Sequence, residues 1–212
     1  MTPGVIIVGA GGHGRVIADA LSASGVVVVG FVDSDEAKHG TVVAGLPVLG
    51  DESALEGFAD GSVELANGIG SVADLTLRKT VYERLVAGGY RFITVRHPRA
   101  IVSAGAFVER GAQVLAGAIV QTDARVGENT IVNTGAIVEH DCVIGRHCHL
   151  APRCVLSGGV SVGDESHIGV GATAVQGVVI GARAFLAAGA VVVGNVPAGC
   201  RVQGMPAKEW TI

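Results

Sequence analysis

Side chains that could transfer protons are concentrated between residues 133 and 149, namely Asn133, Glu139, His140, Asp141, His147 and His149. His140 and Asp141 are adjacent, and a neighbouring carboxylate raises the basicity of an imidazole and fixes its tautomer. A lone histidine is more often an ordinary surface residue, but here an acid, an amide and a second histidine lie close in sequence. The sequence therefore predicts that His140 is a general base and that Asp141 supports it.

The element that positions these residues is a repeat of six. An aliphatic residue recurs at every sixth position from 102 to 192 with one lapse to Ala174, and the residue four places after each is small. Hexapeptide repeats are the sequence signature of a parallel β-helix. In the left-handed form three hexads make one triangular coil, so residues 18 apart stack and 16 hexads give about five coils. The aliphatic series is Val102, Val108, Val114, Val120, Val126, Val132, Val138, Ile144, Leu150, Leu156, Val162, Ile168, Ala174, Ile180, Leu186 and Val192.

This six-residue frame assigns a direction to the reactive side chains. His140 lies two places after an inward aliphatic residue, at a corner from which side chains point outward. His149 and His167 are 18 apart and should stack on one outward face, as a structural ladder or as part of a site, while His147 is expected to face solvent.

The cysteines and histidines could instead indicate a metal site, but the six-residue frame disfavours a metal site built from either residue type. Cys142, Cys148 and Cys154 replace the small inward residue of consecutive hexads, where free cysteine behaves as a small hydrophobe. Carbonic anhydrases built on the same helix place two zinc-binding histidines two coils apart, and no two histidines of this repeat are separated by 36 residues. We expect no metal and no disulfide.

A second candidate site lies near the N-terminus. An apolar run ends in a glycine-rich turn, Gly9 to Gly14, with the dinucleotide-binding spacing, and Asp33 follows the next strand, where an acid could meet a ribose. The glycines let a phosphate approach the backbone and the N-terminus of the following helix. The domain supplies only one mononucleotide-sized half, which favours a nucleoside diphosphate over NAD, although such a turn can also merely pack a helix on a strand. His13 is predicted to contact the ligand.

The rest of the N-terminal region alternates strands and helices, which is typical of an α/β, Rossmann-like βαβ fold. The predicted elements are strands over 4–9, 26–32, 46–49, 63–70 and 92–95, a helix over 15–24, a weak helix near 52–58, and an amphipathic helix over 75–88 with Leu77, Val81 and Leu85 on one face. The tail after 196 leaves the repeat and should form a loop or short helix. The predicted domains are 1–97, 98–196 and a C-terminal cap over 197–212.

Composition and charge limit the classes of partner that the protein could bind. The formal charge is −4, with only 15 Lys and Arg, and no basic stripe suggests nucleic acid. The most apolar N-terminal run is too short for a signal peptide or a membrane span, so we expect a cytoplasmic protein without a membrane partner.

The turn GAGGHG, the hexads, the run NTGAIVEHDCVIG and the ending GMPAK together resemble one family along nearly the whole chain. It is the hexapeptide-repeat family of bacterial nucleotide-sugar acetyltransferases, which groups UDP-4-amino-sugar and GDP-perosamine N-acetyltransferases with sialic acid O-acetyltransferases. The resemblance implies a homotrimer in glycan biosynthesis, with acetyl-CoA in the groove between neighbouring β-helices and the nucleotide sugar on the N-terminal domain.

The resemblance also implies residue roles. His140 and Asp141 correspond to the catalytic base and its partner. Substrate contacts are implied for Gly11, Gly12, His13, Asp33, Ser34, Gly70, Ser71, Asn133 and Glu139, and acetyl-CoA contacts for His149, Gly158, Val170, Ala188 and Lys208. Ser34 and the loop ANGIGSVADLTLRK depart from the bacillosamine-pathway pattern, and both departures fall on the nucleotide and sugar pocket.

The predicted reaction is direct acetyl transfer from acetyl-CoA to the amine of a nucleotide-linked 4-amino-4,6-dideoxy sugar, with UDP favoured as the carrier. A GDP-linked amino sugar, O-acetylation of a sialic acid or another sugar hydroxyl, and a non-catalytic nucleotide-binding scaffold are the alternatives.

Overall fold

The computed structural model describes residues 4–58, 62–71 and 74–210. The chain divides into two compact units, one comprising residues 1–71 and 76–98 and the other residues 72–75 and 99–212.

A three-stranded parallel sheet forms the centre of the first unit. Its strands are β1 (Gly4–Val8), β2 (Val28–Val32) and β5 (Val63–Asn67), in the order β2-β1-β5. β3 (Val42–Val43) and β4 (Leu46–Pro47) form a small hairpin, and Glu36–Lys38 and Glu52–Gly57 are 3-10 turns. Helix α1 (Gly12–Ala23) links β1 to β2, and helix α2 (Thr76–Ala87) follows β5. The predicted βαβ arrangement is confirmed.

Glycines allow the strand ends of this unit to approach one another closely. A Cβ on Gly14 would lie 2.1 Å from the Gly9 carbonyl oxygen, and one on Gly68 would lie 2.5 Å from the same oxygen. Gly9 itself has φ +100°, a conformation that L side chains rarely adopt. The glycine turn and the end of β5 therefore pack backbone against backbone.

Two predictions for this unit are wrong in detail. Leu77 is 65% exposed, and the buried face of α2 is formed by Arg78, Val81, Tyr82 and Leu85. The spacing of aliphatic residues predicted the buried face of this helix, and nothing in that spacing indicated a buried arginine.

The predicted strand over 92–95 is reduced to a single bridge. Phe92 pairs with Leu65 at one position only, and the strand that follows is Val95–Arg96. Phe92 still belongs to the apolar core beneath the sheet, so its burial was predictable while its pairing was not.

The second unit is a left-handed parallel β-helix, as the repeat predicts. Every hexad forms a two-residue strand that pairs in parallel with the strands 18 residues away. The first face contains Ile101–Val102, Ile119–Val120, Ile137–Val138, Val155–Leu156, Thr173–Ala174 and Val191–Val192, and the second contains Phe107–Val108, Arg125–Val126, Val143–Ile144, Ser161–Val162 and Val179–Ile180. The third contains Gln113–Val114, Ile131–Val132, His149–Leu150, His167–Ile168, Phe185–Leu186, Arg201–Gln203 and Lys208–Glu209.

The second residue of each strand points inward. The predicted aliphatic series is at most 3% exposed from Val114 to Val192, and it packs against the small residues in a continuous core. Cys142, Cys148 and Cys154 lie in this core with 0% exposure, as predicted.

Every coil corner between residues 111 and 189 contains a left-handed residue. Half of these positive-φ positions are glycine, and the others include Asp123, Asn129, Asp141 and His147. Asp and Asn accept this conformation more readily than most residues. The corners therefore accommodate side chains as well as glycine.

The tail is not the predicted loop or short helix. Within its described part, up to residue 210, Arg201–Gln203 pairs in parallel with Phe185–Leu186 and Lys208–Glu209 returns antiparallel. The Phe185 and Ala187 N–H groups donate to the Cys200 and Val202 carbonyls at 2.9 Å. The exposed edge of the last coil thus explains why a segment without hexads adopts strands. Among the described residues, no helix has the length and apolarity needed to cross a membrane.

Candidate active site

His140 and Asp141 form a close pair at an exposed corner of the β-helix. The Nδ1 atom of His140 lies 2.7 Å from Oδ2 of Asp141, and the side chains are 50% and 65% exposed. The hydrogen bond to Asp141 raises the pKa of His140, and the charges of Asp141 and Glu139 add to the shift while desolvation opposes it. A carboxylate bound at Nδ1 leaves Nε2 as the nitrogen that can accept a proton from a substrate.

Gly158 lies directly under the His140 ring, one coil further along. A Cβ at this position would lie 2.6 Å from both Cε1 and Nε2 of the imidazole. The Gly159 N–H donates to the His140 carbonyl at 2.9 Å, so the two coils are in register at this corner. The absence of a side chain at 158 is therefore required for the ring to take its position.

Asn133 and His149 also come together. The Asn133 amide Nδ2 lies 3.1 Å from His149 Nε2, and His149 is 7% exposed. Glu139 is half-buried beside the catalytic corner. Asn133 and His149 thus lie next to each other, and Glu139 lies beside His140. The roles of all three remain predictions.

The predicted stacking of His149 and His167 is confirmed, but the rings are buried. Their centroids are 5.0 Å apart at 88°, and the His167 ring stacks on Phe185 at 5.1 Å. Burial lowers the pKa of His167, and the Arg201 charge lowers it further. The ladder therefore keeps His167 neutral near pH 7.

His147 does not face solvent, contrary to the prediction. It is 4% exposed, and its Nδ1 lies 3.0 Å from the amide Nδ2 of Asn129, one coil earlier. Both residues occupy left-handed corners, with φ +56° and +54°. The Asn129 side chain, one coil earlier, therefore pairs with the His147 ring and keeps it out of solvent.

Val170 and Ala188 occupy one exposed corner on successive coils. The Gly189 N–H donates to the Val170 carbonyl at 2.8 Å. Lys208 is exposed in the final strand, where it pairs with Gln203. These positions are accessible, and no ligand contact is assigned to them by the geometry alone.

The N-terminal unit contains a separate cavity of about 510 Å³. Among the predicted substrate residues, it is lined by Gly11, Gly12, His13, Asp33, Ser34 and Gly70. Ser71 is buried and does not line it. The sequence did not identify Lys38, Glu52 and Arg84, which contribute the other charged groups and belong to segments distant in sequence.

Helix α1 begins at this cavity. Its cap residue, Gly11, provides no side-chain acceptor, and the first turn contains no acidic residue. The first backbone N–H groups of a helix have no partner within it and carry the positive end of the helix dipole. His13 lies in this first turn, beside Gly70. The geometry suits an anionic group.

Asp33 is held by the protein. One carboxylate oxygen accepts from Ala10 N at 2.7 Å and Lys38 Nζ at 3.1 Å, and the other accepts from Asp35 N at 2.9 Å. Burial alone would raise the pKa of Asp33, but these hydrogen bonds and the Lys38 charge lower it. Asp33 thereby fastens the glycine turn to β2.

The cysteines provide no nucleophile in the core. Burial raises the pKa of Cys142, and it raises the pKa of Cys148 and Cys154 to about 12. In the described part of the chain, no group of three or more His, Cys, Asp or Glu residues could hold a metal ion.

Comparison with known families finds two matches along the chain. Residues 4–85 match the PglD N-terminal domain, and residues 123–158 match the bacterial transferase hexapeptide repeat. No curated protein sequence matches the chain.

Solved structures match over the full length. Perosamine N-acetyltransferase from Caulobacter crescentus, PerB, solved with CoA and GDP-perosamine, is 38% identical with a TM-score of 0.91, covering 100% of this chain and 99% of that one. The acetyltransferase domain of PglB from Neisseria gonorrhoeae, solved with acetyl coenzyme A, is 34% identical with a TM-score of 0.90, covering 99% and 100%. WeeI from Acinetobacter baumannii is 24% identical with a TM-score of 0.88, covering 99% and 100%, and shares the fold.

Proposed function

Because this chain belongs to the hexapeptide-repeat family of bacterial nucleotide-sugar acetyltransferases and is an acetyltransferase, we propose that it acetylates the amine of a nucleoside-diphosphate-linked amino sugar. The observation that carries this proposal is the His140–Asp141 pair, held at 2.7 Å on an exposed corner. Acetyl-CoA is the proposed acetyl donor.

His140 acts as the general base. Its Nε2 accepts a proton from the sugar amine as the amine nitrogen bonds to the thioester carbonyl carbon, and the C–S bond then breaks to release the CoA thiolate. Asp141 orients the ring and stabilises the imidazolium, which can return the proton to the sulfur. General-base catalysis of this kind contributes about 10²- to 10⁴-fold.

Both substrates are held by the protein, so no acyl-enzyme is required. Positioning two reactants side by side removes much of the entropic barrier to their reaction. The raised pKa of Cys142 and its inward position in the core support direct transfer.

The acetyl-CoA site is proposed along the corner residues of the β-helix. Gly158 leaves room beside the His140 ring, and Val170 and Ala188 offer exposed backbone on later coils. Asn133 orients His149, the residue proposed to contact the acetyl group. Lys208 is the proposed contact at the far end. In the proposed homotrimer, this groove lies between the β-helices of neighbouring protomers.

The cavity of the N-terminal unit is proposed to bind the nucleoside diphosphate. The start of α1 and Lys38 supply N–H donors and positive charge for the phosphates, while His13, Ser34 and Gly70 line the wall. Asp33 is proposed to support the turn through its bonds to Ala10 and Lys38, and its Oδ1, which accepts one bond from Asp35 N, can also accept a ribose hydroxyl.

The choice of nucleotide rests on the solved relatives. The family resemblance favours UDP, but a relative that is 38% identical over its length was solved with GDP-perosamine. We therefore propose a GDP-linked 4-amino-4,6-dideoxy sugar as the first substrate to test and the UDP-linked sugar as the second.

Steady-state kinetics of the His140→Ala variant test the proposal. Acetyl-CoA consumption is measured with GDP- and UDP-linked 4-amino sugars and with hydroxyl sugars, including a sialic acid. We expect activity on an amino sugar and a fall in kcat/KM of at least about 100-fold in the variant.

His97→Ala serves as the matched control, because it removes an imidazole outside the proposed catalytic group. A loss below about tenfold in His140→Ala would exclude its role as the base. Activity restricted to hydroxyl sugars would instead identify an O-acetyltransferase.

A further inference from the structure

Arg78 is a buried cation that the proposed chemistry does not use. It is 1% exposed and occupies an interior position of α2. Burial lowers the pKa of Arg78 to about 9, so the guanidinium remains charged at neutral pH. Burying an arginine is costly unless its donors are satisfied.

The donors of Arg78 bind the loop that follows β5. Its Nη1 donates to the Ile69 carbonyl at 2.6 Å and to the Asn67 carbonyl at 3.0 Å. In return, the Asn67 amide Nδ2 donates to the Arg78 carbonyl at 3.2 Å, and its Oδ1 accepts from Ile69 N at 3.1 Å. The loop and the helix are thereby locked to each other.

These bonds fix the orientation of one peptide group. In a trans peptide the C=O and the N–H point in opposite directions. The Ile69 carbonyl accepts from Arg78, so the Gly70 N–H of the same peptide points away from Arg78. Gly70 is one of the residues that line the cavity. Gly70 is exposed and lies against His13, where an added Cβ would be 3.1 Å from the His13 Cβ.

The Gly70 N–H is available for a ligand. Among residues 4–58, 62–71 and 74–210, it has no hydrogen-bond partner. An N–H group held at a cavity wall by a buried cation is preorganised to donate to an oxygen acceptor, and a donor of this kind binds anionic oxygens most strongly.

We propose that Arg78 is a positioning residue for nucleotide binding, which holds the Ile69–Gly70 peptide so that the Gly70 N–H donates to the nucleoside diphosphate. This inference rests on the proposed function of the cavity. It assigns part of the affinity for the nucleotide substrate to a residue that does not touch it.

Binding and kinetics of Arg78→Met and Arg78→Lys test the role. Calorimetry with GDP and with UDP gives the affinity, and steady-state kinetics give KM for the nucleotide sugar and for acetyl-CoA. One donated hydrogen bond to a charged group corresponds to about ten- to a hundredfold in affinity.

We expect Arg78→Met to lose this much affinity for the nucleotide and to show a matching rise in the KM for the nucleotide sugar, with partial recovery in Arg78→Lys. The acetyl-CoA KM and kcat should change by less than about twofold. A merely structural role would instead reduce the yield of folded protein, or weaken nucleotide binding, acetyl-CoA binding and kcat together.

Gly70→Pro and Gly70→Ala form a matched pair that leaves Arg78 in place. Proline removes the N–H and alanine retains it. We therefore expect Gly70→Pro to lose tenfold or more in affinity and Gly70→Ala to lose less. Combining Gly70→Pro with Arg78→Met should add little further loss, because both act through one hydrogen bond.

Two results would overturn the inference, and they differ. If the wild type binds GDP or UDP and the Arg78 variants bind it equally well, or Gly70→Pro matches Gly70→Ala, Arg78 has no positioning role while the proposed function stands. If the wild type binds neither nucleotide, the cavity's proposed function fails and the inference fails with it.

Discussion

At the scale of single residues, the proposed chemistry depends on a basic nitrogen held by one neighbour. His140 is half exposed to solvent, and in the described part of the chain the only short contact that raises its pKa is the one with Asp141. The left-handed conformation of Asp141, with φ +61°, directs its carboxylate to the preceding ring.

The pH dependence of kcat/KM should therefore respond to Asp141→Asn. Protonated His140 cannot accept a proton, so kcat/KM falls as the pH drops through the pKa of His140. Asp141 raises this pKa, and its removal should move the fall to lower pH and also reduce the plateau. A pH–rate profile of both proteins measures the shift. An unchanged profile would show that Asp141 does not tune the base.

Thiol reactivity should separate Cys200 from the other cysteines. All four thiols have raised pKa values, but Cys142, Cys148 and Cys154 are buried whereas Cys200 is partly exposed, so exposure is what separates Cys200 from the others. Thiolates react and buried thiols do not. We expect an aromatic disulfide reagent to titrate one thiol in the native protein and four after denaturation, and Cys200→Ser to abolish the native reaction. Reaction of a second native thiol would contradict the inward packing.

At the scale of elements, close backbone contacts determine whether the glycine turn can exist. Gly14, in the first turn of α1, lies directly against the Gly9 carbonyl. A Cβ built on Gly12, in the same turn, would approach the Arg15 guanidinium no closer than 4.0 Å.

Alanine at these two glycines should therefore have opposite effects. Gly14→Ala forces a displacement and is expected to destabilise the protein by about 1–3 kcal/mol, as overpacking does. Gly12→Ala should be neutral or slightly stabilising, because alanine favours helices. Denaturant unfolding measures both. Equal stabilities would mean that the turn adjusts freely.

Sequence patterns predicted elements best where the backbone repeats and poorly where tertiary contacts decide. The hexads determined strand positions, inward residues and the His140 corner, because one period of six places every residue. The burial of Arg78 was not predicted and the prediction that His147 faces solvent was wrong, because both depend on partners from other segments, the carbonyls of Asn67 and Ile69 and the Asn129 amide. The tail strands could not be read from composition, since their pairing is imposed by the exposed edge of the last coil.

The candidate site was predictable to a similar extent. The pairing of His140 with Asp141 follows from adjacency, and the Gly158 contact follows from the 18-residue stack. The cavity residues Lys38, Glu52 and Arg84 required the tertiary fold, because no local motif connects them. The engagement of Asp33 by Ala10 likewise appears only when the two strand ends meet.

At the scale of the whole molecule, the outer faces of the β-helix are unusually apolar. Ile101, Phe107, Val143 and Val179 are each about half exposed or more. Phe107, Val143 and Val179 lie on one face, where they alternate with Arg125 and Ser161. Exposed apolar side chains grouped on one face are commonly covered by association between proteins.

We expect the protein in solution to have about three times the 21.3 kDa mass of one chain, because a trimer would cover such columns in every copy. Light scattering coupled to gel filtration measures the mass. A monomeric mass at micromolar concentration would remove the groove between protomers from the proposed mechanism.

The contact between His140 and Gly158 makes the number of residues between them a requirement for the proposed catalysis. The glycine reaches the ring only because one full coil separates the two positions, and adding or losing a single residue between them would shift a different side chain under the imidazole. Such a variant would retain every catalytic residue and still lack an active site. Divergence within this segment is therefore expected to proceed through substitution, while insertions and deletions are confined to the N-terminal loops and the tail.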